Sequence, residues 1–392
     1  MLNVLSSIMM VSGLAFMGTA PFVADYIVLA AGLVGLALAF VGRDEVLRSW
    51  SSGLLLGALV LVGLTIPFVY RGEMDLLPLA AFAPLLLAPG IAALLQRSPD
   101  WLSPHAFAMA CLVGAVAASL AGLAEYAEVE GARAGAGNNP IHYGGIATML
   151  GFMALTGTVV GRAPLRLLFL LGPAAALVAV LLSGSRGPLM AWAALALVSA
   201  PLILWWNRRD PWLLSVFALG AVGAVAVLLH STDNRAIEAL RHFIAALTSG
   251  EMGTSDTARS AMYHSAWQAF LNSPLVGQGY GQIMPFAQAL HPEVTVLAQL
   301  DNYHSDIANF AAMSGIPGLL AYGFVMLSPL VLLFSAPARA NRGLVLGSLM
   351  LVVGYGALGL TNAMFGLLPQ TMLFVLMLGY LMALQRSETG AR

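Results

Sequence analysis

Three residues stand out for the chemistry that their side chains offer together: Arg186, Arg259 and His304. Arg186 lies in Ser183-Gly184-Ser185-Arg186-Gly187-Pro188, a tight polar turn between two apolar runs, where Pro188 suits the first turn of the following helix. Arg259 opens Arg259-Ser260-Ala261-Met262-Tyr263-His264, and His304 closes a polar stretch as Asp301-Asn302-Tyr303-His304-Ser305, at the edge of the next apolar run. Guanidinium groups hold phosphate oxygens bidentately and stabilise a departing diphosphate. A free imidazole titrates near about pH 6.5 and takes a proton from a hydroxyl at neutral pH. The three residue types therefore suit displacement of a diphosphate by a hydroxyl. Each also has a plainer reading: a snorkelling anchor for Arg186, a solvated loop charge for Arg259, a helix cap for His304.

The elements that must position them are set by composition. The chain has 392 residues, 59% hydrophobic and 9% charged. A soluble domain carries about 25% charged residues, so the fold class expected is an all-α integral membrane protein. A formal net charge of -1 gives no reason to expect a nucleic-acid partner. All 17 basic residues are arginine, which excludes a Schiff-base or P-loop lysine. Cys111, the single cysteine, lies in an apolar run; it reads as a packing residue and leaves no intramolecular disulfide or cysteine metal site. The seven histidines show no ligand spacing, and neither HExxH nor G-x-S-x-G is present, so no metal or cofactor is expected.

Apolar runs long enough to span a bilayer, about 17 to 25 residues each, fall near 4–20, 22–41, 52–70, 76–95, 105–126, 142–161, 165–183, 187–206, 211–230, 305–335, 343–361 and 366–385. The first lacks a basic leader and reads as a retained helix rather than a signal peptide. The run 305–335 is long, and its Ser314-Gly315-Ile316-Pro317-Gly318 predicts a break. With the N-terminus inside, eleven arginines fall on the inner side and six on the outer. Positive charge favours the cytoplasm, so both termini are expected there, with about twelve spans forming a single membrane domain over 1–392. Residues 231–304, between spans nine and ten, are then a large loop on the outer face holding Arg259, His264 and His304. Irregular polar backbone cannot face lipid, so this loop covers the bundle from outside. The loop is expected to hold a surface helix over 234–248 and another over 256–272, capped by Ser255 or Asp256 and ended by Asn272-Ser273-Pro274. A glycine-rich turn, Val276-Gly277-Gln278-Gly279-Tyr280-Gly281, follows a helix rather than a strand, which argues against a dinucleotide site.

The outer side carries two more polar segments. Arg133 and Asn139, in the stretch leading to Gly137-Asn138-Asn139-Pro140-Ile141-His142, could hold sugar hydroxyls or phosphate, and read equally as a polar turn with caps. Glu73 and Asp75 read as an exposed turn.

Taken in order, four motifs resemble the O-antigen ligase and Wzy-type polymerase superfamily. They are Gly137-Asn138-Asn139-Pro140, then Gly184-Ser185-Arg186-Gly187. The third is the loop with Arg259 and Trp267 through Gly281, and the last is Asp301-Asn302-Tyr303-His304-Ser305 followed by Gly315-Ile316-Pro317-Gly318. The resemblance implies a GT-C-like bacterial inner-membrane glycosyltransferase of around twelve spans with one large periplasmic loop. Such an enzyme takes a glycan from undecaprenyl diphosphate and passes it to an acceptor hydroxyl with inversion, without a metal. It implies that Arg186 and Arg259 bind the diphosphate and that His304 acts as base or orients the acceptor, with Asn302, Tyr303, Arg133 and Asn139 as candidate substrate contacts. Ser305 departs from the family, which often has Asn there. The acceptor is lipid A–core for a ligase, the branch favoured by compact size and a single long loop, and a second lipid-linked repeat for a polymerase. The chain lacks the extra C-terminal region expected of protein O-oligosaccharyltransferases. A twelve-span secondary transporter remains the competing class. Against it, charges within the spans are few, with Asp25, Glu125 and Asp306 near their ends, whereas ion-coupled transporters carry midplane ionisable groups.

Overall fold

The computed structural model describes residues 2–128, 133–160, 165–208, 212, 215, 220, 223, 254–334 and 336–389. Among these every regular element is a helix. In chain order the principal helices are α1 (Leu2–Ala15), α2 (Pro21–Val41), α3 (Trp50–Val69), α4 (Glu73–Gln96), α5 (Pro104–Glu128), α6 (Pro140–Met153), α7 (Leu165–Ser183), α8 (Arg186–Trp206), α9 (Thr254–Asn272), α10 (Ile283–Leu290), α11 (Asp306–Leu327), α12 (Arg342–Thr361) and α13 (Leu368–Thr389). Nine of them, α2 to α5, α7, α8 and α11 to α13, are long and apolar enough to cross a membrane.

Twelve spans were expected; two runs differ and a third lies largely outside the described residues. The run at 4–20 forms only the shorter α1, which ends at Ala15, and Ala20, before a proline, leaves helical conformation at φ -141, ψ 60. The run at 142–161 becomes α6 followed by a 3-10 turn, Ala154–Thr158. The run at 211–230 lies largely outside the described residues, as does the surface helix expected over 234–248.

Lipid removes most of the hydrophobic drive between helices, so the bundle relies on close packing of small residues. The backbones of α6 and α7 meet at Gly151 and Gly172, and those of α2 and α4 at Gly35 and Gly90, where any side chain would strike the facing carbonyl. α13 is the axis of the bundle: 83% of its apolar window is buried, against 28% for α7 and α8, which leave most of their surface for lipid.

The long run 305–335 is not one span. α11 ends at Leu327 and is broken at Gly315 (φ 62, ψ -140), as Gly315 and Pro317 predict. The glycine-rich turn that follows α9 repairs the break. Gln278 N donates to Ala312 O at 2.8 Å, Gly279 N to Met313 O at 3.1 Å, and Ile316 N to Pro274 O at 2.7 Å. This meets backbone groups that a broken helix leaves open. Gly277 sits at φ 75, and a Cβ there would collide with the Met313–Ser314 backbone. Gly277→Ala is therefore expected to lower stability by about 3 kcal/mol through combined strain and overpacking, read as a fall in the melting midpoint in detergent. Gly53→Ala, in open space on α3, should leave the midpoint unchanged or raise it.

Two local expectations are corrected. α9 starts at Thr254, before the predicted caps Ser255 and Asp256, although it ends at Asn272 as expected. Glu73 is exposed as expected, but Asp75 is only 2% exposed. Asp75 Oδ2 accepts from Arg71 N and Oδ1 from Gly281 N, both at 2.8 Å, because the glycine-rich turn folds over this corner.

Candidate functional site

The Arg186 turn is built by backbone geometry. α7 stops with Gly184 in the left-handed region (φ 58, ψ 29), a conformation that closes helices at low cost for glycine. Ser185 is extended (φ -109, ψ 122), and α8 begins at Arg186 itself, half-buried. Arg133 braces this turn: its Nε donates to Ser183 O at 2.9 Å and its Nη2 to Ser185 Oγ at 2.7 Å. The segment carrying Arg133 is fixed in turn by Glu125, whose Oε2 accepts from Gly135 N (2.8 Å) and Ala136 N (2.7 Å). Arg133 thus orients Arg186 through the turn. Asn139 caps α6, its Oδ1 accepting from Ile141 N at 2.9 Å.

The elements that carry the three singled-out residues converge on the end of α12. The Tyr263 hydroxyl, one helical turn beyond Arg259, donates to Leu360 O at 3.0 Å. Burial raises the Tyr263 pKa and the charge of half-buried Arg259 partly offsets it. Gly187, next to Arg186, lies so close to Thr361 that a side chain there would strike its hydroxyl. His304 Nδ1 is 2.6 Å from Asn362 Oδ1. Leu360, Thr361 and Asn362, adjacent in sequence, therefore receive α9, α8 and the His304 loop in turn.

His304 is held in an unusual backbone state. It has φ 49, a left-handed conformation that costs an L-residue about 1–2 kcal/mol. Its neighbours enforce it: Asn302 Oδ1 accepts from His304 N at 2.8 Å, Asn309 Oδ1 from Tyr303 N at 2.9 Å, and the Tyr303 hydroxyl donates to Ile283 O at 2.6 Å. Tyr303 was expected to touch substrate. It is 0% exposed and works instead as an internal strut beneath His304. Asn302 lines a cavity of about 90 Å³ together with Tyr280, Asp306, Asn309 and Phe365.

Sequence spacing missed three contributors. Asp306 looked like a charge at the end of a span, but it is 1% exposed and its Oδ1 accepts from Met364 N (2.9 Å) and Phe365 N (3.2 Å). It thereby pins the loop after α12 beside the His304 loop. Asp306→Ala would strand both donors, at about 1–3 kcal/mol each, so the expected loss is about 3 kcal/mol in an unfolding titration. Asp306→Asn keeps an acceptor and should lose much less. Asn362, 3% exposed, joins His304 to His142: its Nδ2 lies 3.3 Å from His142 Nε2. Nothing local flags Asn362 or His142, which lie far from His304 in sequence and at helix ends, where polar residues ordinarily cap. A third linkage runs through His264 Nδ1 and His291 Nε2 (2.9 Å), with Glu293 Oε1 on His291 Nδ1 at 3.1 Å. It anchors α9, and so Arg259, to the segment after α10.

Many apolar helices, with the start of α8, α9 and the His304 loop meeting at the end of α12, define a multi-pass membrane protein. Residues 171–323 match the family model described as O-antigen ligase. Members of this family are glycosyl-transferring enzymes that act on lipid-linked glycans. The matched stretch holds Arg186, Arg259 and His304 and stops before Asn362. No curated protein matches the chain.

Proposed function

We propose that the protein is an O-antigen ligase of the bacterial inner membrane, with both termini cytoplasmic and residues 231–304 in the periplasm. It transfers a glycan from undecaprenyl diphosphate to a hydroxyl of lipid A–core, with inversion and without a metal. In the reaction the acceptor oxygen bonds to the anomeric carbon on the face opposite the leaving group. The bond from that carbon to the diphosphate oxygen breaks, and undecaprenyl diphosphate departs with the electron pair. Arg186 and Arg259 hold that diphosphate as charge develops on it. The acceptor proton passes to His304. Arg133 supports Arg186 through the turn, and Asn302 contacts the sugar.

The observation that carries this reading is the meeting of α8, α9 and the His304 loop at residues 360–362. The matched family supports a ligase or a polymerase of lipid-linked glycans in general. The test is transfer by the purified protein from undecaprenyl-diphosphate glycan to lipid A–core or to a second lipid-linked repeat. Product on lipid A–core alone is expected. Chain extension on the second repeat would make it a polymerase, and movement of a solute across vesicles with no transfer would make it a transporter.

A further inference from the structure

We infer that Asn362 is a positioning residue that fixes the tautomer of His304, keeping the proton on Nδ1 and leaving Nε2 as the nitrogen that accepts the proton of the acceptor hydroxyl. The inference rests on the function proposed above and deepens it.

An amide oxygen only accepts hydrogen bonds, and an amide nitrogen only donates. Asn362 presents its oxygen to His304 Nδ1 at 2.6 Å and its nitrogen to His142 Nε2 at 3.3 Å. The first contact requires a proton on His304 Nδ1. A neutral imidazole carries one proton, so Nε2 of His304 holds the lone pair. In this orientation the second contact requires a lone pair on His142 Nε2, which accepts from the amide nitrogen. Turned over, the amide would donate to His304 Nδ1, move the proton to Nε2 and leave His304 unable to take one from a substrate.

The surroundings leave this arrangement little freedom. Asn362 is 3% exposed and sits where α12 ends in extended backbone (φ -158, ψ 164), with its own N–H donated to Leu358 O at 3.0 Å. The loop that follows is held by Asp306. Across the contact, His304 is fixed by its left-handed backbone and by Asn302. His142, on α6, is the titratable neighbour that shares the amide and is electrostatically coupled to His304. It is held from its other side, its carbonyl accepting from Gln370 Nε2 at 2.9 Å. The network therefore links α6, α12, α13 and the His304 loop, so a tautomer set at Asn362 is set by the whole end of the bundle.

Two measurements test it. The first is ¹⁵N NMR of the detergent-solubilised full chain with labelled histidine, in which the His304 signals are assigned by their loss in His304→Gln. The expected spectrum shows His304 protonated on Nδ1 and bare on Nε2, with the preference lost in Asn362→Leu; protonation on Nε2 in the wild type overturns the inference. The second is transfer kinetics across pH. Asn362→Leu is expected to lower kcat about 100-fold, with the donor KM changed less than about threefold. Asn362→Asp keeps an acceptor and adds a negative charge that favours imidazolium, so it should retain activity while the acid limb of its pH profile rises by about one unit. A merely structural residue would not move that limb. An unmoved limb, or an Asn362→Leu enzyme within about threefold of the wild-type kcat, overturns the inference. Should Asn362→Leu fail to fold, the NMR of the wild type and the Asn362→Asp profile decide. A wild-type protein that transfers no glycan to any acceptor would instead remove the proposed function, while the ¹⁵N spectrum still decides the tautomer.

Discussion

Replacing His304 by glutamine is expected to slow glycan transfer by about a thousandfold, within the range of a lost general base, while donor binding stays close to normal. Glutamine matches imidazole in length and keeps a donor that can reach Asn362 Oδ1, so the local hydrogen bonding survives and proton acceptance does not. The backbone comparison sharpens the test. His304 stands at φ 49, and glutamine there carries the same strain of about 1–2 kcal/mol. His304→Gly removes that strain and the side chain together, so it should be as inactive as His304→Gln while melting no lower than it. Loss of activity without loss of stability is the signature of strain kept for function. A His304→Gln enzyme within about tenfold of wild type would show that the acceptor proton leaves by another route.

The sequence carried the bundle in outline because lipid permits few alternatives. An apolar run of sufficient length with no partner for its backbone must be a helix, so nine of the predicted runs form helices long and apolar enough to cross a membrane. The break in α11 was legible for the same reason: glycine and proline together cannot continue a helix in silence. What the pattern could not show was how open backbone groups would be met. The glycine-rich turn looked like a loose nucleotide motif, and its use is to close the break at Gly315. Asp75 looked exposed because its neighbours are polar, and a segment some 200 residues later covers it. At the site, the residue types were legible at Arg186, Arg259 and His304, since buried or boundary charge needs a reason. Their supports were not. Tyr303 and Asn139 sit beside the motifs and resemble ligands in sequence, yet the structure uses them as strut and cap. Asn362 and Asp306 look ordinary in sequence and hold the site together. Ser305 is the informative departure. The family often has asparagine there, and here an amide reaches His304 from Asn362, 58 residues away.

Arg186→Ala is expected to reduce transfer by about a thousandfold, comparable with removal of a group that stabilises charge developing in the transition state. The mechanism makes a narrower demand than loss of activity. If Arg186 holds the leaving diphosphate, Arg186→Ala must also weaken inhibition by the product, undecaprenyl diphosphate. Arg186→Lys keeps one positive charge but loses the planar fork, so it should recover only part of the activity, about ten- to a hundredfold below wild type. Arg259→Ala should behave in the same way if the second arginine holds the same diphosphate from α9. Arg133 provides the contrast. Its bonds to Ser183 O and Ser185 Oγ hold the turn, so Arg133→Ala should lower the melting midpoint and reduce transfer only about tenfold. Its inhibition by undecaprenyl diphosphate should be less affected than that of Arg186→Ala. Equal inhibition of wild type and Arg186→Ala by undecaprenyl diphosphate would show that Arg186 never touches the leaving group, and would return it to the role of a membrane-boundary anchor.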